Sequence, residues 1–282
     1  MSNSNIAGRV VARVWDVKPQ QQSPIHTAAM VIDPNKQSEF DPFLFLAEDW
    51  FGHGTFDVHP HRGQETVTYV IEGKLRHYDS NAGEGELGPG DVQWMTAGRG
   101  VVHKEDPDAG ETVHSLQLWI NLPKEDKLTA PRYQNLRQSD MPVRREEGTV
   151  VTVFSGSSGD VQASTLNHVP VTMVELNMEA GATFHQDLPA DYNGFIYILE
   201  GSGTFGANET SATAGQAMLL GHVKREFEHS EIKIQASSKL RALLYAGRPL
   251  HEPIVAYGPF VMNTRQQILE AIEDYQAGRF GQ

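Results

Sequence analysis

The sequence predicts an all-β protein built from two similar β-barrels, with one short helix near the C-terminus. Three observations support this prediction. Short apolar segments recur along the 282 residues between turn-forming positions, part of the sequence is repeated, and a helical pattern occurs only near the end. Short strands separated by frequent turns are typical of β-sandwiches and β-barrels.

The predicted strands are rich in β-branched and aromatic residues, which favour extended structure. The 26 glycines and 15 prolines lie mostly between them, where turns require those residues. Clear examples are RVVARVW, TVTYVIEG, LQLWINL, TVVTVF, FIYILEG and LRALLYAG.

An internal repeat indicates two copies of one β-domain. The segment YVIEG at 69–73 recurs as YILEG at 197–201, and PGDVQWM at 89–95 has a weaker echo in AGQAMLL at 214–220. The order and the spacing are nearly the same in both copies. The polar, proline-containing stretch 124–145 is the expected linker, which predicts an N-terminal domain 1–135 and a C-terminal domain 136–282.

The one clear helix is predicted at 263–278. Asn263 or Thr264 can cap its start, Ile268 and Ile272 lie on one stripe, and Gly278 suits its C-terminal end. We interpret this helix as a packing element that closes the C-terminus.

Composition excludes several classes of site. Without cysteine there can be no disulfide, thiolate metal site or cysteine nucleophile, so a metal must be held by nitrogen and oxygen ligands. The net charge of −13 argues against direct binding to nucleic acid. No stretch is apolar enough for a membrane span or a signal peptide, so we expect a cytoplasmic protein.

The strongest motif is the segment VHPHRGQE at 58–65. Because side chains alternate along a strand, His59, His61 and Glu65 share a parity and are expected on one face. About forty residues later His103 and Glu105 share a parity in VHKE, and the strands and turns between can bring the two pairs together. The spacing predicts one mononuclear metal site, with either Glu65 or Glu105 beside the three histidines.

Such a set of nitrogen and oxygen ligands suits Fe(II), Mn, Ni, Cu or Zn. Four ligands leave up to two positions open in octahedral geometry. Open positions beside a redox metal favour O₂ chemistry.

The chain closely resembles the pirin family of bicupins. The resemblance rests on FDPFLFLAEDWFGHGTFDVHPHRGQETVTYVIEGKLRHYDS, GPGDVQWMTAGRGVVHKE, WINLP and the tail YGPFVMNTRQQILEAIEDYQAGRFG. It implies two cupin (double-stranded β-helix) barrels packed face to face, with one iron, as Fe(II), in the first. The family's ligands fall on His59, His61, His103 and Glu105. Glu65 would then lie outside the ligand set and orient a ligand histidine or Arg62.

The resemblance also implies a reaction, quercetin 2,3-dioxygenase activity on a flavonol or related phenolic. The flavonol would bind the metal through its 3-hydroxyl, lose that proton to Glu105 or Glu65, and be opened by O₂ to a depside and CO. The alternative is a redox-sensing protein in which Fe(II) and Fe(III) switch the binding of protein partners in transcription. An acidic surface fits contact with protein.

Other polar residues are weaker candidates. Five residues are candidates for contact with substrate or for support of the metal ligands: His53, Arg62, Lys104, His114 and Gln117. By strand alternation Arg62 and Lys104 should face away from the ligands. The second barrel lacks both ligand pairs and is expected to hold no metal, although His185, Asp187 and His229 could gather there.

Overall fold

A computed structural model describes residues 6–79 and 83–280. The chain divides into two compact units. One contains the described residues up to Lys18 together with Asp140–Pro249, and the other contains Pro19–Ser139 together with the described residues from Leu250 onward. Strands account for most of the regular structure in both, which confirms the all-β prediction.

The strands and helices of the described residues follow one another with short connections. In chain order the strands are β1 (Ala7–Gly8), β2 (Val11–Asp16), β3 (Gln20–Ser23), β4 (His26–Ile32), β5 (Phe43–Gly52), β6 (His59–His61), β7 (Gln64–Glu72), β8 (Leu75–Asp79), β9 (Gly83–Leu87), β10 (Val92–Thr96), β11 (Val101–Asp106), β12 (Thr112–Asn121), β13 (Arg132–Leu136), β14 (Val143–Glu146), β15 (Thr149–Ser155), β16 (Ser157–Ser158), β17 (Val161–Gln162), β18 (Val171–Met178), β19 (Thr183–Pro189), β20 (Asn193–Glu200), β21 (Ser202–Phe205), β22 (Thr210–Thr213), β23 (Gln216–Leu220), β24 (His229–Ala236), β25 (Leu240–Gly247), β26 (Val255–Tyr257) and β27 (Phe260–Met262). The helices are α1 (Gln37–Phe40) and α2 (Arg265–Gln276), with 3-10 turns at Pro34–Lys36, Lys124–Asp126 and Gln138–Asp140.

The unit that contains 19–139 has two main sheets. The larger sheet has the strand order β13-β10-β7-β12-β5-β4-β3, and the smaller has the order β6-β11-β8-β9. An apolar cluster joins their facing surfaces, with Phe51, Val70 and Val113 from the larger sheet and Leu75 from the smaller. The two histidines of VHPHRGQE, His59 and His61, lie in the smaller sheet on β6, and His103 and Glu105 lie in the same sheet on β11.

The other unit repeats this plan with its own strands. Its larger sheet has the order β14-β15-β18-β25-β20-β23-β2, and its smaller sheet contains β1, β24, β21 and β22, with β19 paired to β24. The interior is a single large apolar cluster that includes Val174, Phe184, Phe205 and Ile232. This agrees with the two copies that the sequence repeat predicted.

The two terminal segments differ from the predicted domains 1–135 and 136–282. Strand β2 pairs with β23, so the N-terminal segment belongs with 140–249. The tail belongs with 19–139, where Arg62 and Phe260 form a β-bridge. The predicted boundary at 135/136 lies close to the observed one at Ser139. The prediction assigned each chain end to the nearer domain in sequence, whereas each end packs with the other domain. Pairing between segments distant in sequence decides this, and a single boundary along the chain does not describe it.

Helix α2 begins and ends as its sequence predicts. Thr264 accepts a hydrogen bond from the backbone of Gln267, whose side chain returns to the capped end, so the two form a capping box. Gly278 has φ 69°, as expected beyond a helix C-terminus. The helix closes the unit that contains 19–139 and packs through Ile268 and Ala271 into a cluster with Phe260 and Phe280. No helix among the described residues is long and apolar enough to cross a membrane.

Candidate metal centre

Three histidines converge on the inner side of the smaller sheet. Strand β11 pairs with β6 so that His103 lies directly opposite His59. One ring nitrogen from each of His59, His61 and His103 lies within 4.8 Å of the other two, and the Nε2 atoms of His59 and His103 are 3.1 Å apart. The alternation that placed His59 and His61 on one face is therefore confirmed.

Burial keeps the imidazoles of His61 and His103 in the form that binds metal. His61 and His103 are each 1% exposed, and this burial lowers the pKa of both rings well below the usual range. The charge of His59 lowers both further, and His61 and His77 add to the effect on His103. A neutral imidazole has a lone pair to donate, whereas a protonated one does not.

The hydrogen bonds of the rings fit a metal ion. His59 donates through Nδ1 to the carbonyl of Asp57 at 2.7 Å, which leaves Nε2 directed at the cluster. The amide nitrogen of Gln64 lies 3.0 Å from His61 Nδ1. With the amide turned so that its oxygen takes this position, Gln64 accepts the Nδ1 proton and Nε2 of His61 keeps its lone pair. Among the described residues His61 Nε2 is buried with no hydrogen-bond partner. A divalent metal would give these converging lone pairs the partner that they lack.

Glu105 lies beside this cluster in the same strand as His103. Thr68 donates to its Oε1 at 3.0 Å, and Gln117 donates to its Oε2 at 2.7 Å. The carboxylate is 4% exposed and lies within reach of His103 and His77, as a second group of potential ligands. Both oxygens of Glu105 are therefore held in place beside the histidines, where they could bind the same metal ion or accept a proton.

Glu65 does not join the cluster. Gly63 has φ 80° and breaks the strand alternation between His61 and Glu65. A side chain there is also impossible, because a Cβ on Gly63 would lie 2.0 Å from the carbonyl oxygen of Val261. In β7 the side chains of Gln64 and Thr68 face the site, so Glu65 points to the opposite face, where Thr96 donates to its Oε1 at 2.7 Å. Parity counted across the glycine gave the wrong face for Glu65.

His77 is a site residue that sequence reasoning missed. It lies directly opposite Glu105 in the pairing of β8 with β11, and its ring is 5.2 Å from that of His103. Both ring nitrogens are buried without a hydrogen-bond partner among the described residues. In LRHYD, His77 has the same parity as the apolar Leu75, which predicts that its side chain points inward. This pattern does not indicate which residues of the neighbouring strand it will contact.

A cavity of about 530 Å³ opens onto the cluster. Most of its wall surface is apolar and comes from side chains that include Phe45, Phe51, Phe56, Leu75 and Trp119. An aromatic ring of a ligand can pack against these side chains. The polar groups that reach it include His59, His61, Thr68, Glu105, Gln117 and, from β4 and β5, His26 and Asp49. Such a combination of apolar wall and converging polar groups is typical of a site for a small molecule.

Of the five weaker candidates, only Gln117 reaches the cavity. His53 and Lys104 both pair with Asp106, each at 2.8 Å. His114 pairs with Glu48 at 2.7 Å, and neither lines the cavity. These contacts stabilise the surrounding loops and sheet.

Arg62 faces away from the cavity, as its parity predicted, and joins the ligand strand to α2. Its Nη1 donates to Asp274 at 2.7 Å, its Nε donates to the carbonyl of Arg99 at 2.6 Å, and its guanidinium lies 4.4 Å above the ring of Phe280. The buried Lys127 holds the same turn, donating to the carbonyls of Gly63 and Val261. The C-terminal segment therefore fixes the position of the turn that follows His61.

In the other unit the three residues that might gather are used elsewhere. His185 pairs with Glu231 at 2.9 Å near the surface, Asp187 accepts a hydrogen bond from the backbone of Gly159, and His229 is exposed. Within residues 6–79 and 83–280, both groups of potential metal ligands lie in the unit that contains 19–139.

Comparison with known proteins agrees with this arrangement of two related units. A family model described as Pirin matches residues 20–120, and one described as Pirin C-terminal cupin domain matches residues 173–281. A pirin-like protein of Solanum lycopersicum is 42% identical over 243 residues, which cover 86% of this chain and 82% of that protein. The chain belongs to the pirin family. The bicupin fold that the resemblance implied is thus confirmed.

Two solved structures are similar over most of the chain. GK1651 from Geobacillus kaustophilus is 60% identical, with a TM-score of 0.86, and the match covers 88% of this chain and 99% of that one. A quercetin 2,3-dioxygenase from Acinetobacter baumannii is 29% identical, with a TM-score of 0.86, and the match covers 98% and 99% of the two chains. This pirin-family chain is therefore similar over nearly its whole length to a structure named for a dioxygenase.

Proposed function

We propose that this protein is a metal-dependent dioxygenase that opens a flavonol or related phenolic with O₂. The observation that carries the proposal is the convergence of His59, His61 and His103, with Glu105 beside them, at an apolar cavity of about 530 Å³. The similarity to a quercetin 2,3-dioxygenase supports the reaction type. The ligand set is His59, His61, His103 and Glu105, and the metal is Fe(II), with Mn, Ni, Cu or Zn as the alternatives that this chemistry also allows.

The metal would supply Lewis acidity toward a phenolic oxygen and redox chemistry toward O₂. The residues of the chain supply position and proton transfer. The apolar walls pack against the rings of the substrate and exclude water, which strengthens the polar contacts inside. The product would be a depside, with CO released.

Glu105 is the base in this proposal. Its carboxylate lies in the cavity wall, and it can accept the proton of a phenolic hydroxyl placed beside the histidines. Gln117 and Thr68 hold its two oxygens, so the group is oriented before substrate binds. The sequence also offered Glu65 as the base, but its side chain faces Thr96 on the other side of the strand.

The test is aerobic incubation with quercetin. Protein loaded with iron or nickel, with its metal content verified, should remove the flavonol absorbance and release CO faster than the same concentration of free metal. Glu105→Gln, compared with wild type at equal verified metal content, should slow the reaction by about 100-fold or more, as expected for loss of a general base. If verified metal-loaded protein consumes no flavonol above the free-metal rate, the proposal is wrong.

A second candidate function is redox sensing through a protein partner. It is favoured by exposed surface beside the ligands, because Val58 is 57% exposed and directly precedes His59. A change between Fe(II) and Fe(III) would then alter the surface around Val58. Hydrogen exchange in residues 53–60 should differ between the ferrous and ferric proteins, and identical exchange would contradict this function.

A further inference from the structure

A second polar group lies in the cavity, on strands that carry none of the metal ligands. His26 on β4 and Asp49 on β5 both line the cavity, and His26 Nε2 is 2.7 Å from Asp49 Oδ1. Their side chains are 16% and 13% exposed, so the pair is largely removed from solvent. The proposed reaction at the histidines uses neither residue.

The pair lies further along the larger sheet than Gln117, the residue of that sheet that donates to Glu105. Gln117, which holds Glu105, pairs with Ala47, and Asp49 lies two residues further along β5. The Cα atoms of Gln117 and Asp49 are therefore about 8 Å apart, from a strand spacing of about 4.8 Å and a rise of about 3.4 Å per residue. Gln117 and Asp49 therefore occupy different parts of the cavity wall, which suits polar groups on two separate rings of a ligand.

The carboxylate of Asp49 has capacity for another donor. Among the described residues it is hydrogen-bonded through Oδ1 to His26, and Oδ2 stays available as an acceptor. Burial raises the pKa of this carboxyl, and the hydrogen bond and charge of His26 oppose that rise. A ligand hydroxyl that donates to Oδ2 would restore part of the solvation that burial removes.

The surroundings of the pair fit an aromatic ring that carries such a hydroxyl. Phe56 packs edge-on against His26, with ring centroids 5.3 Å apart, and Phe51 packs against Phe56 at 4.9 Å. Both phenylalanines line the cavity. An apolar wall beside a buried carboxylate acceptor favours a hydroxylated ring over an unsubstituted ring or an anionic group.

We propose that His26 and Asp49 form a specificity site that accepts a hydroxyl on the ring remote from the reacting end of a polyphenol. The inference rests on the proposed function for the placement of the reacting end at Glu105. It deepens that function by naming the substrate class, which is polyphenols with donors on two separate rings. Phenols with one hydroxylated ring should bind less tightly.

Strand β5 offers a matched control. Glu48 and His114 form a pair of the same length, 2.7 Å, with a similar degree of burial, 7% and 15% exposed, and neither residue lines the cavity. Glu48→Ala therefore removes, from the same strand as Asp49, another buried carboxylate that is paired with a histidine. It leaves both residues of the proposed site in place. Melting temperatures and metal content of both variants verify that each is folded.

The experiment measures binding without turnover. Dissociation constants of quercetin and of 3-hydroxyflavone, which lacks the other hydroxyls, are measured under argon by quenching of tryptophan fluorescence. In the wild type quercetin should bind more tightly, and Asp49→Ala should reduce the ratio of the two constants by about 10-fold or more. Glu48→Ala should leave the ratio unchanged. An unchanged ratio in Asp49→Ala, or an equal loss in both variants, would overturn the proposal.

A ligand series on the wild type keeps the proposal testable if Asp49→Ala does not fold. Quercetin that is methylated at the hydroxyls of the ring remote from the 3-hydroxyl should bind at least about 10-fold more weakly than quercetin. Equal binding would overturn the proposal. Aerobic turnover measured in parallel separates the two ideas. The expected binding ratios without consumption of O₂ would contradict the dioxygenase function and still support the specificity site.

Discussion

Gln117 Nε2 on β12 donates to Glu105 Oε2 on β11 at 2.7 Å. This bond is one of two consecutive hydrogen bonds that link Trp119, Gln117 and Glu105. Trp119 Nε1 donates to Gln117 Oε1 at 3.1 Å, which fixes which end of the amide faces the carboxylate. These two bonds orient Glu105 from the side opposite to Thr68. Partners that orient a ligand in this way typically change metal affinity by about 10- to 100-fold when they are removed.

We therefore expect Gln117→Met to weaken metal binding by about 10-fold without unfolding the protein. The substitution keeps the volume of the side chain and removes the donor to Glu105. Competition with a chelator gives the affinity. Gln93→Met is the control, since Gln93 donates to Asn135 outside the cavity. Equal metal affinity in Gln117→Met and wild type would show that Glu105 needs no such support.

His77→Phe distinguishes a ligand from a neighbour of ligands. His77 lies beside His103 and Glu105, but His59, His61 and His103 already form a set without it. The variant should still bind one metal per chain, with an affinity lower by about 10-fold, because it changes only the surroundings of two ligands. Complete loss of metal, as expected for His59→Ala, would mean that His77 is itself a ligand.

The ion pair between Arg62 and Asp274 should stabilise the unit that contains 19–139. The side chain of Arg62 is 8% exposed and that of Asp274 is 31% exposed, so we expect Asp274→Asn to cost about 1–2 kcal/mol in free energy of unfolding, more than a fully exposed pair. Hydrogen bonds from Arg62 and Arg279 lower the pKa of Asp274. Its contribution is thus complete above the unfolded pKa of about 3.9 and is lost as the pH falls through the lower folded value.

Thermal unfolding of wild type and Asp274→Asn at several pH values measures this contribution. The difference in melting temperature should be constant from pH 7 to about pH 5 and should shrink as the pH approaches 3. A difference that grows on acidification would contradict the assignment.

The metal-free protein should lose stability on mild acidification. Burial lowers the pKa of His61 and His103, so below the unfolded value of about 6.5 the unfolded chain binds protons that the folded chain does not. The free energy of unfolding of the metal-free protein should therefore fall between pH 7 and pH 5. His61→Asn should reduce this dependence, measured by urea unfolding, and an identical pH profile in the variant would contradict it.

The main features of fold and site could be predicted because they depend on local patterns. Strand alternation placed His59 with His61 and His103 with Glu105, and the sequence repeat predicted two copies of the domain. Alternation failed at Glu65 because the positive φ of Gly63 interrupts the strand. A glycine between two strand-like segments is the one local sign that the alternation of side chains cannot be extrapolated from the first segment to the second.

The remaining features depend on pairing between distant segments. Nothing near Arg62 in sequence indicates that Asp274 will hold it, and nothing in LRHYD indicates that His77 will lie opposite Glu105. His26 and Asp49 meet only because β4 pairs with β5 in a particular register. Register across a sheet is set by the packing of the whole domain, so single strands do not reveal it.

The most direct test of the account is elemental analysis of the protein purified from its own cells, beside three variants. We predict about one metal ion per chain in the wild type, none in His59→Ala, a strong reduction in Glu105→Ala, and nearly full content in Glu65→Ala. Full content in His59→Ala, or loss in Glu65→Ala with retention in Glu105→Ala, would contradict the metal centre described above.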